Sequence, residues 1–311
     1  MAQQRYSIYP ASLTSTGPVT TNLQQIHGVS IKPDSRKDEI IPGGAIDRAA
    51  VILQGAAPVV SFKTHDLATI FGVLSPSAGL VCAAGTNLIQ YQKRADGGTF
   101  ASGSSHVVLT NKKGFLVPKR LSASQDRPVE LELDLWCLWD GSTSGTPAVA
   151  VPPLTIATAS ALTSTPAFES EYYMGPVYAN SVQLPAVSNW EIDFGIDYQA
   201  KAFDGDLWPQ TGTIISRKPK ITVTSTDDSQ AGTIGSFFNA ALPGTLALYC
   251  RIGVAGASRS SDASTVHAKF SVTTGAWNVS SLDGDGQDDA MLKADIEPTS
   301  TLAVSMASAI P

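Results

Sequence analysis

The chain repeats itself, and that constrains its fold more than any other feature. Gly17-Pro18-Val19-Thr20-Thr21-Asn22-Leu23-Gln24-Gln25-Ile26-His27-Gly28-Val29-Ser30 recurs in seven of fourteen positions as Gly175-Pro176-Val177-Tyr178-Ala179-Asn180-Ser181-Val182-Gln183-Leu184-Pro185-Ala186-Val187-Ser188, an offset of 158. Ordinary residue usage supplies about one chance identity in that length. Further matches follow in the same order at an offset of 161. Pro58 through Asp66 meets Pro219 through Asp227, and His106, Gly114, Leu121, Leu131 and Asp134 meet His267, Gly275, Leu282, Leu292 and Asp295. Cys82 aligns with Cys250 only through a larger shift. Solenoid and propeller repeats run roughly 20 to 50 residues, so a period this long has the size of a whole domain. The expectation is two tandem copies of one fold, residues 1–160 and 161–311. Between them, Gly141-Ser142-Thr143-Ser144-Gly145-Thr146-Pro147 and Val151-Pro152-Pro153 read as an extended, weakly ordered connection.

Strand signals dominate both copies. Val129-Glu130-Leu131-Glu132-Leu133-Asp134-Leu135-Trp136 alternates apolar with acidic residues, giving one buried and one negative face. Trp190-Glu191-Ile192-Asp193-Phe194-Gly195-Ile196-Asp197-Tyr198 does the same, and Met291 to Ile296 less cleanly. Val59 to Phe62, His106 to Leu109, Ile221 to Thr224 and Thr245 to Cys250 are further β-rich runs. One short helix per half is expected after the matched proline: Asp66 to Phe71, with Thr64 as N-cap, and Asp228 to Ala241. The fold class is therefore mainly β, two β-sandwich or barrel units each with one short flanking helix. Polar excursions at Pro33 to Gly44 and Gln199 to Pro209 are long enough to act as binding elements, and Trp208 stands out within the second.

The chemistry of sites is sparse. A net charge of −6 argues against a protein that grips phosphates through clustered Lys and Arg. Three cysteines, Cys82, Cys137 and Cys250, lack a CxxC pair and read as buried structural positions. His27, His65, His106 and His267 look too scattered for a metal cluster. Asp283-Gly284-Asp285-Gly286-Gln287-Asp288-Asp289 departs from the EF-hand pattern and reads as a turn. No phosphate-binding glycine loop or nucleophile elbow is present, so no catalytic residue, metal or cofactor is assigned and the chain is not expected to be an enzyme. No run of about 18 apolar residues indicates a spanning helix, and Met1-Ala2-Gln3-Gln4-Arg5 leads into no apolar signal region. No membrane partner is expected.

The order of elements resembles the tail tube proteins of long-tailed bacteriophages: a strand at Val29-Ser30 or Val187-Ser188, a long polar hairpin, a strand after Pro58 or Pro219, a short helix at Asp66 to Phe71, and a late strand such as Val129 to Trp136. It covers nearly all of each half, with no diagnostic signature motif. The resemblance implies rings whose inner sheets join as a barrel, stacked through the hairpins, with DNA passing down the lumen without specific binding. Two folds per chain imply a homotrimeric ring of pseudo-sixfold symmetry. Glu191, Asp193, Asp197, Glu130, Glu132 and Asp134 are then the lumen-lining candidates, and Lys37, Asp38, Glu39, Asp204, Asp206 and Trp208 the inter-ring contacts. Implied partners are further copies of the chain and the tape measure, tail terminator and tail tip proteins. The implied location is the virion tail, assembled in the host bacterial cytoplasm. Two other readings stand: a trimeric tail-tip or baseplate hub, and a two-domain β-sandwich carbohydrate-binding module whose exposed aromatics would be Trp208, Tyr172 and Tyr173. The acidic faces also fit the plain solvated side of an antiparallel sheet, and the loops ordinary surface excursions.

Overall fold

The computed structural model describes residues 6–14, 20–23, 25–33, 35–40, 50–82, 87–93, 106–145, 149–159, 170–227, 242–254, 259–283 and 291–311. The first half contains β1 (Tyr6–Thr14), β2 (Thr20–Leu23), β3 (Ile26–Lys32), β4 (Ser35–Ile40), β5 (Ala50–Ala56), β6 (Val59–Thr64), α1 (Leu67–Phe71), β7 (Leu80–Cys82), β8 (Asn87–Lys93), β9 (His106–Asn111), β10 (Lys113–Ser124), β11 (Arg127–Leu138), β12 (Thr143–Ser144), β13 (Val149–Ala150) and β14 (Leu154–Ala159). The second contains β15 (Ser170–Ala179), β16 (Val182–Leu184), β17 (Val187–Asp193), β18 (Ile196–Lys201), β19 (Thr211–Arg217), β20 (Lys220–Ser225), β21 (Leu242–Val254), β22 (His267–Asp283), β23 (Met291–Pro298) and β24 (Ala303–Ser308). The protein is mainly β, as the alternation and β-branched runs require.

Both halves follow one pairing diagram. In the first, β3-β6-β11-β10 form one antiparallel run and β2-β1-β8-β9-β14 another; in the second, β17-β20-β23-β22 and β16-β15-β21-β22-β24 repeat them. The register repeats too. Thr64, Phe62 and Val60 face Leu131, Leu133 and Leu135, and Ser225, Val223 and Ile221 face Leu292, Ala294 and Ile296, each 161 residues later. By the same ladders His106 corresponds to His267 and Gly114 to Gly275. Where β9 and β10 break at Lys112, the single strand β22 runs through both sheets.

The fourteen-residue match at offset 158 is out of phase with the structure. Pairing puts Ile26 opposite Thr64 and Val187 opposite Ser225, so Val187 corresponds to Ile26, not to Val29. The residues before them, Gln25 and Ala186, share a left-handed φ of 55° and 48°. Earlier still, register breaks at Ile8/Ala11 and Met174/Val177 bracket Tyr9-Pro10 and Gly175-Pro176, where a bulge accommodates a proline that would interrupt a regular ladder. Gly175-Pro176 therefore matches Tyr9-Pro10, not Gly17-Pro18. The matching of Cys82 with Cys250 also fails: Cys82 faces Gly114, which makes Gly244 its counterpart, while Cys250 stands where Tyr91 does. All three cysteines are nonetheless buried and unbridged.

Three further expectations change. The N-cap of α1 is Asp66, whose carboxylate accepts from Thr69 N–H. Thr64 Oγ1 instead accepts from Asp66 N–H at 3.0 Å, a turn reproduced by Ser225 Oγ and Asp227 N–H at 3.1 Å. The helix expected at Asp228 to Ala241 lies outside the described residues. The Ser/Thr/Pro-rich connection is partly structured: β14 pairs with β9 from Leu154↔Asn111 to Ala159↔His106, and the boundary near residue 160 lies outside the described residues.

The halves are joined by hydrogen bonds. β10 pairs with β17 from Arg120↔Asp193 to Ser124↔Asn189, making one sheet of the two inner runs. A further bridge links Pro128 on β11 to Tyr173 on β15. One apolar cluster runs beneath, with Phe62, Leu121, Leu131 and Leu133 from the first half and Trp190, Ile192, Phe270 and Ile296 from the second, all essentially inaccessible to water. Each such side chain contributes about 1.5–3 kcal/mol on burial. Helix α1 packs its Phe71 ring edge-on against Phe270 at 5.3 Å, another tie across the halves.

Candidate functional site

The sheet from β3 to β22 turns one face to the core and the other, polar one outward, because successive side chains on a strand point to opposite sides. On β11 the odd positions Val129 to Leu135 are buried, while Glu130 and Glu132 stand half-buried on the other face. Asp134 shares the outward register but is itself buried. Glu191 belongs to the same face, opposite Ser122 on β10 and Thr222 on β20. Five of the six lumen candidates, Glu130, Glu132, Asp134, Glu191 and Asp193, thus share this face, with Asp193 opposite Arg120 in register. Asp193 sits at the exposed end of β17. Its carboxylate accepts from Gly195 N–H at 2.8 Å. Asp197 lies elsewhere: the run Trp190 to Tyr198 is not one strand, because it breaks at Phe194-Gly195 and Asp197 falls on the separate hairpin β18–β19.

These acids are not left uncompensated. Asp134 accepts from Ser61 Oγ at 2.6 Å and has Lys119 Nζ at 3.4 Å. In the second half Asp295 accepts from Thr222 Oγ1 at 2.7 Å with Lys220 Nζ at 2.9 Å, so the hydroxyl–carboxylate pair is duplicated 161 residues on. Arg120 pairs with Glu191, and Glu132 lies opposite Lys63 and Arg120 in register. The face carries interleaved charges of both signs, not the uniformly negative surface its acidic strands suggest. The bases were missed because they come from β6, β10 and β20, where no short-range pattern announces them.

One cluster corrects the reading of the histidines as scattered. His27, His65 and Glu130 bring their donor atoms within 4.8 Å of one another. Glu130 accepts from Lys63 Nζ at 2.6 Å, lies 2.7 Å from His27 Nε2, and His65 Nδ1 lies 3.0 Å from Val129 O. Burial alone would raise the Glu130 carboxyl, but the hydrogen bonds and charges of Lys63 and His27 outweigh it and hold the group below its ordinary value. Three ligands could in principle meet a divalent ion here. Against that, the two imidazoles stack at 4.7 Å and 20°, so their in-plane lone pairs run side by side, and the Lys63 ammonium already holds Glu130. The arrangement suits a charge-compensated patch at the edge of the sheet better than a metal centre. His106 and His267 are fully buried elsewhere, and His267 is held between Ile252 N–H and Ser261 O.

The two polar excursions are hairpins, β4–β5 and β18–β19. Lys37, Asp38 and Glu39 lie on β4, opposite Leu53, Ile52 and Val51. The tip of the second hairpin reaches across the joint: Leu207 O accepts from Ala56 N–H at 3.1 Å, Pro209 O from Trp139 N–H at 2.7 Å, and Gln210 O from Lys113 Nζ at 2.7 Å. Asp206 accepts from the Gln210 amide, Trp208 is half-buried beside these contacts, and Asp204 is exposed. Beneath the hairpin, Phe115 and Tyr198 stack at 4.5 Å, and a cleft of about 520 Å³ is lined by Trp136, Tyr198, Phe203 and Leu207. Of the other aromatics singled out, Tyr172 is buried, and Tyr173 donates to Glu171 at 2.6 Å. No protein-family model matches the chain, and no curated protein matches it.

Proposed function

We propose that the protein is a structural subunit of a phage-type tail tube, in which the polar face of the fused inner sheet lines a conduit for DNA. The observation that carries this is the β10–β17 ladder, which makes two copies of one fold share a single continuous sheet with a core side and a polar side. The interleaved charges on that side suit a passage that holds a polyanion nowhere. Lys63, Lys119, Arg120 and Lys220 on this face are each paired with an acid, which leaves fewer cations to exchange counterions with phosphate. Glu130, Glu132, Asp134 and Glu191 act as partners of those bases, and Asp193 adds negative charge at the rim. The chain makes and breaks no bond in this role. Three chains of two folds each close a pseudo-sixfold ring, and the rings stack through hairpin residues such as Lys37, Asp38 and Glu39.

Electron microscopy of the concentrated protein tests the reading: threefold rings with six lobes, or tubes built from them, are expected, and a particle that stays monomeric at every concentration overturns it. A hub at a tail tip would give the same ring in one or a few copies per particle, so copy number separates the two. The aromatic-lined cleft at Trp136, Tyr198 and Phe203 favours the carbohydrate-binding reading as the second choice, and glycan binding by a monomeric chain would establish it.

A further inference from the structure

Among the described residues, the joint inside the chain has a counterpart with no strand paired to it. β17 is hydrogen-bonded on both edges, to β20 and β10. Its duplicate β3 pairs only with β6 among the described residues. Likewise β10 leaves β7 after Leu116 and takes up β17 from Arg120 to Ser124. Its duplicate, the C-terminal part of β22, leaves β21 after Trp277 and carries β23 alone on the other edge as far as Asp283. Among the described residues, two complementary edges therefore stand open at opposite ends of the inner sheet.

The side chains tell the same story. Ile192, on the doubly paired strand, is 0 % exposed, whereas its counterpart Ile31 is 37 % exposed although it points in the same sense. A large apolar residue at an open edge is what proteins normally avoid unless the edge is covered. We propose that the occupant is a second copy of this chain, whose β22 adds antiparallel to β3 and reproduces the β10–β17 ladder between molecules. The offset of 161 fixes the register. Leu121↔Ile192, Ser122↔Glu191 and Arg120↔Asp193 become Leu282↔Ile31, Asp283↔Ser30 and Ser281↔Lys32. The contact is heterologous, with different patches on the two partners, so it propagates head to tail and ends only by closing a ring or running on as a filament. The joint stands on the duplication alone; only closure at three chains rests on the conduit reading.

Cross-linking tests the register. Directly opposed residues of an antiparallel pair lie about 4.5–5.5 Å apart at Cα, within disulfide reach, and the three native cysteines are buried. Ile31→Cys combined with Leu282→Cys should give covalent multimers on mild oxidation, while Ile31→Cys with Ser280→Cys, slipped by two residues, should give at least about tenfold less. Equal yields from the two pairs, or none from the first in a protein that sedimentation shows to be assembled, overturn the proposal. Ile31→Asp should weaken self-association by roughly tenfold or more with an unchanged circular dichroism spectrum; unaltered assembly would equally overturn it. Registered cross-links in open filaments would uphold the joint and sink the ring, so the two failures are separable.

Discussion

Gly195 shows how much of the fold can depend on one missing carbon. Its φ is +55°, and a Cβ there would sit 2.0 Å from Lys218 O, at the point where β17 hands over to the β18–β19 hairpin. Gly195→Ala should cost about 2 kcal/mol or more, combining backbone strain with a steric clash, and a urea midpoint lowered at unchanged slope would register it. The carboxylates give a second residue-scale expectation. At Glu130 and Asp295 burial pushes the carboxyl up, yet hydrogen bonds from Lys63 and His27, and from Thr222 and Lys220, bring it below the ordinary value. A folded pKa below the unfolded one adds stability that is present above the unfolded value, about 4, and drains away as the pH falls through the folded value. Melting temperature should therefore be flat near neutrality and drop below about pH 4. Glu130→Gln should flatten part of that drop; an unchanged acid limb would count against the cluster.

At the scale of elements, strands with strict alternation were readable in advance. β11 lies where its strict alternation puts it, because a two-residue period has one way to sit on a core. β23 follows a looser alternation, and β6 and β20 were marked instead by their β-branched residues, β6 being buried at all but one position. The phase of the duplication was harder to read. The first hairpin runs from Thr14 to Thr20 between strands, and its counterpart only from Ala179 to Val182. Two Gly-Pro pairs and two Val-Ser pairs thus fell into false alignment across loops of unequal length. The single alternating run at Trp190 was divided by a glycine whose backbone, not its side chain, decides the matter. β14 was hidden because Thr and Ala alternate with apolar residues in a segment whose prolines speak for a linker. The polar face was half legible, its acids by alternation, its lysines only through pairing. Leu121 sits at the ladder between halves, facing Leu131 and Ile192 and fully buried. Leu121→Ala should cost about 2–5 kcal/mol, and amide exchange should accelerate on β10 and β17 together.

Across the whole molecule, one sheet and one apolar cluster pass through both halves on the described residues. Chemical denaturation should show one transition, followed equally by Trp136 in the first half and Trp190 in the second through single-tryptophan variants. Two resolved transitions would show that the ladder couples the halves only weakly. The same ladder has a consequence in time. Antiparallel addition makes Ser124 wait for Asn189, a stretch that a ribosome at roughly 5–20 residues per second needs several seconds to supply. Throughout that interval the first half carries a bare strand edge, and on a crowded polysome a neighbouring nascent chain can fill it before its own continuation arrives. Slow translation between the halves would then raise the yield of swapped chains, and a chaperone that shields the edge would lower it.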